Sequence, residues 1–120
     1  MTVPPGWPAG VPAPDAPDWQ RKAVAWLLDL CPPDYRSYAV LTQHPLVLAR
    51  FAADHVAAGI TAARIGLAGV RSDLADVVPP EALEAAVDTY EREGRRLEQT
   101  ARSVALLDAA LRGRRFTPKL

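Results

Sequence analysis

The sequence predicts an all-α protein built around a long antiparallel helical hairpin, coiled-coil-like, with a short N-terminal helix packed on the half of the hairpin far from its turn. Two observations predict this fold. Apolar residues recur at helical spacing along two long segments of similar length, and Val78, Pro79 and Pro80 separate those segments by a sharp break. A chain of 120 residues suits one helical domain, which we assign to 17–120, after a Pro-rich extended segment at 1–16.

The N-terminal segment is rich in proline from Pro4 to Pro17. Proline lacks an N–H group and fixes φ, so the segment is expected to be extended or polyproline-like rather than helical. We favour a flexible tail as the simpler interpretation. The alternative is a strap whose Trp7 docks on the helices, because a tail without a function seldom carries a large aromatic side chain.

The first helix is predicted at about 17–30, with Asp15 or Ala16 at its cap and Pro32 after its end. One face of this helix is apolar and consists of Trp19, Ala23, Trp26, Leu27 and Leu30. We interpret Trp26 as the core anchor of that face.

A connector follows at 31–44. Residues 33–36 are expected to form a single helical turn. Tyr38, Val40 and Leu41 are expected to pack against the helices, because they are the large apolar side chains of the connector.

The second helix, at about 45–77, gives the strongest signal in the sequence. Its apolar residues are separated by alternating gaps of three and four, which is the spacing of a coiled-coil-like seam. The seam consists of Leu46, Ala49, Ala53, Val56, Ile60, Ala63, Leu67, Val70, Leu74 and Val77. Small residues (Gly59, Ala62, Gly66 and Gly69) lie on one flank, where we expect the close approach of another helix or of the N-terminal strap.

The third helix, at about 80–112, repeats this pattern with Leu83, Val87, Tyr90, Gly94, Leu97, Ala101, Val104, Leu107 and Leu111. When the two long helices are paired antiparallel about the turn, Leu67 faces Gly94 and Ala63 faces Leu97. Large side chains then meet small ones, as close helix packing requires. This register predicts that a larger residue at Gly94 has no room.

The first helix is less than half as long as the hairpin, so it covers only the half far from the turn. There we expect Trp19 and Trp26 to pack near Phe51 and Leu106. Toward the turn the outward positions become polar, so the remaining two-helix arm is expected to face water.

Fourteen basic and fourteen acidic residues cancel, so no net charge attracts the protein to nucleic acid or to an anionic membrane. Arg50, Asp54 and Arg64 interrupt the most apolar stretch, 46–70, and the N-terminus lacks the pattern of a signal peptide. We therefore expect no membrane span and a cytoplasmic location. A bias toward Ala, Arg and Pro favours a bacterial source with a high-GC genome.

No pattern of catalytic or cofactor-binding residues stands out. His44 and His55 are the only histidines, and neither belongs to a metal-ligand cluster. Cys31 is the only cysteine, so it has no internal disulfide partner, and we interpret it as a small buried residue. No nucleophile motif or phosphate-binding loop is present. We predict no cofactor, no metal site and no enzymatic activity.

The long seam and the lack of a catalytic pattern predict a non-enzymatic interaction or adaptor protein, whose helical-hairpin surface binds a protein partner or another copy of itself. The alternative is a small nucleic-acid-associated regulator that uses the basic tail at 113–120. The residues expected to contact a partner are Trp7, Phe51, Arg114, Arg115 and Phe116.

Overall fold

The structure, a computed structural model, describes residues 2–114 and 116 of the chain. Its helices are α1 (Trp19–Leu30), a 3₁₀ helix (Pro33–Ser37), α2 (Ala39–Gln43), α3 (Pro45–Leu74) and α4 (Pro80–Leu111). Within the described residues there is no β-strand, so the predicted all-α class is confirmed.

The two long helices, α3 and α4, pack against each other and run antiparallel. An ion pair between Arg71 and Glu84 joins them near the turn. A second pair, between Arg64 and Glu98 at 3.4 Å, lies farther from the turn on both helices. The two long helices and the short turn between them therefore form the main body of the molecule.

Both long helices begin with a proline at the first helical position, as predicted, because that position needs no N–H donor. α3 ends at Leu74, earlier than the predicted residue 77. The amides of Val77 and Val78 both donate to the carbonyl oxygen of Leu74 at 3.1 Å, so the chain already turns there. Pro79 disfavours the helical conformation of Val78, so the helix does not continue through the turn.

The start of α1 differs from the prediction, because Asp18 rather than Asp15 or Ala16 occupies the cap position. The tryptophan that α1 buries is also different. Trp19 is 8% exposed, whereas Trp26 is only partly buried against the edge of the core. The prediction that Trp26 anchors this face is wrong, and Trp19 takes that role.

Of the three connector residues expected to pack against the helices, only Leu41 is buried in the core. Leu41 is fully buried, but Tyr38 and Val40 are exposed. α2 is a single short helical segment, so only one of its side chains points toward the core while its neighbours point away.

The seam between α3 and α4 differs from the predicted one. Its central column is buried as predicted and consists of Ala49, Val56, Ala63 and Val70. The neighbouring inward column is formed by Ala52, Gly59 and Gly66, whereas Ala53 and Leu67 of the predicted seam are exposed. α3 is thus rotated about its axis toward its glycine-bearing flank.

The glycines on this flank receive side chains from α4. A Cβ at Gly59 would lie 3.1 Å from Leu97 Cδ1, and a Cβ at Gly66 would lie 2.5 Å from Tyr90 Cζ. The predicted close approach is confirmed at these two glycines. It is absent at Gly69, where a Cβ would meet nothing within 4 Å.

The predicted tight pairing of Leu67 with Gly94 is wrong. Both residues line one groove of about 220 Å³ between the helices. A Cβ at Gly94 would meet no atom within 4 Å, so a larger residue has room there. The physical reason is that α4 packs its large side chains against the glycine flank of α3, which turns Leu67 outward.

The buried core lies in the half of the hairpin far from the turn, where α1 contacts both α3 and α4. Its most buried members are Ala23, Leu27, Leu41, Leu48, Ala52, Val104 and Leu107. Beyond Val56, the buried residues of α3 are Ala63 and Val70, which face α4. We call the two-helix part of the hairpin, residues 57–99, the arm.

α3 is unusually apolar for a helix that is so little covered. By length and composition alone it is able to cross a membrane, contrary to the expectation that no such segment exists. Core helices of soluble proteins are often as apolar, but only 28% of the most apolar part of α3 is buried in the fold. Much of an apolar helix therefore lies at the surface.

Candidate functional site

The N-terminal segment is docked on the helices. Trp7 packs against Trp19 with a distance of 6.3 Å between ring centroids, and its Nε1 donates a hydrogen bond to the carbonyl oxygen of Val11 at 2.8 Å. The hydroxyl of Ser103 on α4 donates to the carbonyl oxygen of Gly6 at 2.6 Å. The favoured interpretation, a flexible tail, is wrong, and the alternative of a docked strap is right.

The path of this strap is a series of turns rather than one extended segment. The amides of Trp7, Val11 and Ala16 each donate to a carbonyl oxygen three residues earlier. Gly6 has a φ of +92°, which favours glycine, and a Cβ there would lie 3.5 Å from Leu106. These turns let the segment fold over the end of α4 and bring Trp7 to α1.

A cavity of about 400 Å³ lies between the strap, α1 and the end of α4. Its lining includes Trp7, Trp19, Leu106, Arg114 and Phe116. Three of the five predicted partner-contacting residues, Trp7, Arg114 and Phe116, are therefore brought together here. Arg115 lies outside the described residues. Mostly apolar walls with a few polar groups at the edge are typical of a pocket for an apolar group.

Phe51, the remaining predicted contact residue, lies on α3 and does not line this cavity. It packs edge-on against Tyr35 of the 3₁₀ helix, with 6.0 Å between ring centroids. Tyr35 also contacts Tyr38 and His55. This aromatic cluster was not evident from the sequence, because Tyr35 and Tyr38 lie in the connector, whose path follows no regular periodicity.

An uncovered and mostly apolar row of residues runs along α3, and we call it the α3 stripe. Its members are separated by alternating gaps of four and three, so they lie on one face of the helix. They are Phe51, His55, Ala58, Ala62, Ile65, Gly69 and Ser72. All are exposed except the half-buried Gly69, and Ile65 is 68% exposed.

The α3 stripe borders a groove of about 480 Å³ where α1 ends. Ala58, Gly59, Ala62 and Leu97 form part of its apolar lining, and Asp29 lies at one side. Because α1 ends at Leu30, the face of the hairpin that α1 covers in the core continues uncovered along the arm. Small side chains on this face permit a neighbouring helix to approach closely.

Charged residues border the groove beside the stripe, but none lies in the stripe. Asp29, Glu93 and Arg96 line that groove. Arg96 donates a hydrogen bond to Glu93, which holds the pKa of that carboxyl below its usual value, and Asp29 is paired with Arg36 at 2.7 Å. Within the α3 stripe no residue is Asp, Glu, Lys or Arg. The stripe is therefore an uncharged surface, and these bordering charges are already paired within the chain.

Cys31 carries no sign of reactivity. Burial raises the pKa of its thiol, an effect that the positive charge of Arg36 only partly opposes. The thiol donates to the carbonyl oxygen of Leu27 at 3.3 Å. A thiol with a raised pKa stays protonated near neutral pH and is a poor nucleophile.

Among residues 2–114 and 116, no three side chains of His, Cys, Asp or Glu come together as a metal-binding group. Comparisons with protein-family models, with curated proteins and with solved structures found no match to this chain. The geometry of the α3 stripe and of the cavity is thus the basis for a functional proposal.

Proposed function

We propose that this protein is a non-enzymatic interaction or adaptor protein, and that it binds a protein partner or another copy of itself through the α3 stripe. The observation that carries the proposal is the exposure of an uncharged apolar row along the arm, with Ile65 at its centre and 68% exposed. An apolar row on one helix face, rimmed by charged residues, is typical of a surface that receives another helix.

The stripe has the composition of a helix-packing surface. Ala58, Ala62 and Gly69 keep the backbone of α3 accessible, so a partner helix is able to approach closely. Ile65 and Phe51 supply large side chains that gain from burial, at roughly 1.5 to 3 kcal/mol for each side chain that becomes fully buried. Binding in this manner needs no charged partner, in agreement with the neutral composition of the chain.

A cytoplasmic location belongs to the same proposal, in spite of the apolarity of α3. Its support is that α3 forms one wall of the buried core through Leu48, Ala52 and Val56. Flotation with phospholipid vesicles tests this point, and the protein is expected to remain with the unbound fraction.

The alternative of nucleic-acid binding depends on the basic tail. Arg112, directly before that tail, is paired with Asp108 at 2.9 Å, and Arg114 of the tail lines the cavity. We therefore favour the α3 stripe. Replacing Arg114, Arg115 and Lys119 by Ala is expected to leave partner binding unchanged, and a steeply salt-dependent gel shift by the unaltered protein would support the alternative instead.

Site-specific photo-crosslinking in the source organism tests the proposed function. A photo-reactive phenylalanine analogue replaces Ile65 in one variant and Thr89, an exposed residue of α4, in the matched control. We expect a discrete protein adduct from position 65 and none from position 89. If position 65 gives no adduct while the protein is folded and expressed, the α3 stripe is not an interaction surface.

A further inference from the structure

We propose that the α3 stripe binds the α3 stripe of a second copy of this chain, with the two α3 helices antiparallel and crossing at Ala62. The inference rests on the proposed function, because it names the occupant of the same surface. Its basis is that the stripe is self-complementary: when one copy is reversed, its large residues face the small residues of the other. A surface that binds an unrelated partner does not need this property.

This self-complementarity follows from the order of large and small residues. When one stripe is reversed and aligned at Ala62, each member meets a member of the other copy. Ile65 then faces Ala58, His55 faces Gly69 and Phe51 faces Ser72, in the order shown by the sequence. Each large side chain thus meets a small one on both sides of the two-fold axis, as an isologous helix interface requires.

The space that these pairings need is present in the fold. Ala58 and Ala62 are exposed and line the groove of about 480 Å³ beside α1. A Cβ at Gly69 would meet nothing within 4 Å, so the position opposite His55 is open. Gly59 and Gly66, in contrast, are already filled by α4 and take no part in the second interface.

The order of large and small residues also favours the antiparallel orientation over the parallel one. Parallel pairing aligned at Ala62 would place Ile65 beside Ile65 and Phe51 beside Phe51, and these large side chains would hold the two helices apart. Antiparallel pairing places each of them opposite a smaller residue.

The same arrangement accounts for an exposed apolar residue in the turn. Val77 lies in the turn, three residues after the end of α3, and is 73% exposed. In the antiparallel pair the turn of one copy lies beside the start of α3 in the other, next to the aromatic cluster of Tyr35 and Phe51. Val77 then has an apolar surface to pack against, which it lacks in a single chain.

Disulfide trapping of the full-length chain tests both the occupant and the register. Cys31→Ala provides a background without a native thiol, and single cysteines are then introduced at Ala58, Ala62 or Ile65, with Ala68 as an exposed off-stripe control on α3. Under mild oxidation Ala62→Cys is expected to form a covalent dimer. An equimolar mixture of Ala58→Cys and Ile65→Cys is expected to form one, whereas Ala58→Cys alone and Ala68→Cys are not.

Sedimentation equilibrium supplies an independent measurement. The unaltered chain is expected to sediment at about twice its mass of 13.0 kDa. Ile65→Asp is expected to sediment as a monomer with an unchanged helical circular dichroism spectrum, because that side chain makes few contacts within one chain. Thr89→Asp is the matched control and is expected to remain dimeric.

The outcomes separate this inference from the proposed function. A monomer at the highest soluble concentration, or dimers trapped at Ala68 in preference to Ala62, overturns the inference. Trapping of Ala58→Cys with itself but not with Ile65→Cys overturns the antiparallel register. If the chain is monomeric and the photo-crosslink at position 65 captures a different protein, the proposed function stands and a hetero-partner replaces the second copy. If the monomer instead floats with vesicles, both the inference and the cytoplasmic proposal fail.

Discussion

Replacement of Gly66 by Ala is expected to lower the free energy of unfolding, although alanine is the better helix former. The added methyl carbon would lie 2.5 Å from Cζ and 2.8 Å from Oη of Tyr90. Non-bonded carbons are most favourable at about 3.5 to 4.0 Å, so the tyrosine ring must move by roughly 1 Å. Overpacking of this kind costs about 1 to 3 kcal/mol. Replacing a glycine inside a helix by alanine otherwise raises the free energy of unfolding by about 1 kcal/mol.

The net expectation for Gly66→Ala is therefore a loss of about 0 to 2 kcal/mol. Gly94→Ala is the matched control, because that glycine is also inside a helix of the arm but its Cβ would meet nothing within 4 Å. It is expected to raise the free energy of unfolding by about 0.5 to 1 kcal/mol. The two variants should thus differ by about 1 to 3 kcal/mol, with opposite effects on stability.

Urea denaturation followed by circular dichroism measures this difference at matched protein concentration. A third variant, in which Tyr90→Ala accompanies Gly66→Ala, isolates the steric contact. In the Tyr90→Ala background the second substitution is expected to become stabilising, as it is at Gly94. If Gly66→Ala stabilises the unaltered protein as much as Gly94→Ala does, the Tyr90 ring moves away from position 66 without cost, and the tight packing of that ring on Gly66 is refuted.

Three further results are expected. Ser103→Ala removes the hydrogen bond to Gly6 and should lower the free energy of unfolding by about 1 kcal/mol. Limited proteolysis should then cut the N-terminal strap faster, and an unchanged cleavage rate would contradict the docked strap. Hydrogen exchange in the Ile65→Asp monomer should show slower exchange at amides around Val56 than around Leu74, because the core covers only the former; equal protection would contradict the two-helix arm. Burial raises the pKa of Cys31, so the unfolded chain loses the thiol proton first as pH rises, and stability should fall above about pH 9 in the unaltered protein. The variant Cys31→Ala should show less of this decline, and identical pH profiles would contradict it.

The sequence was informative about the helices because their patterns are long and repeat. The seam of α3 runs over most of thirty residues, so its period was clear even though individual positions are small. The prolines at the helix starts act through local covalent geometry, which tertiary contacts do not change. For these reasons the all-α class and the starts of α3 and α4 were predicted correctly.

The rotation of α3 was not predictable in the same manner. Hydrophobic periodicity ranks Leu67 above Gly66 as a seam residue, because it measures apolarity and not the room that a residue leaves. The helices instead pack where glycine leaves room, and Tyr90 occupies that room. The glycines on the flank are visible in the sequence, but their effect on the rotation depends on which α4 side chains meet them, and one sequence does not specify that.

The candidate site was predicted only in part for a related reason. Trp7, Arg114 and Phe116 come from opposite ends of the chain, and only the folded strap brings them to one cavity. The sequence points to Trp7 because a large aromatic residue is unusual in a Pro-rich segment. The hydrogen bond from Ser103 to Gly6, which fixes the strap, involves two residues of ordinary type and gives no signal in the sequence.

The attachment of the strap to α4 has a consequence for the order in which the protein matures on the ribosome. Gly6 and Ser103 are separated by 97 positions in the chain. At a synthesis rate of about 5 to 20 residues per second, roughly 5 to 20 s pass between their appearance. During that interval Trp7 and the apolar face of α1 have no α4 to bind, and α3 emerges with its stripe uncovered. The nascent chain therefore exposes these apolar surfaces before α4 is synthesised. The N-terminal strap is able to dock only after α4 has left the ribosome.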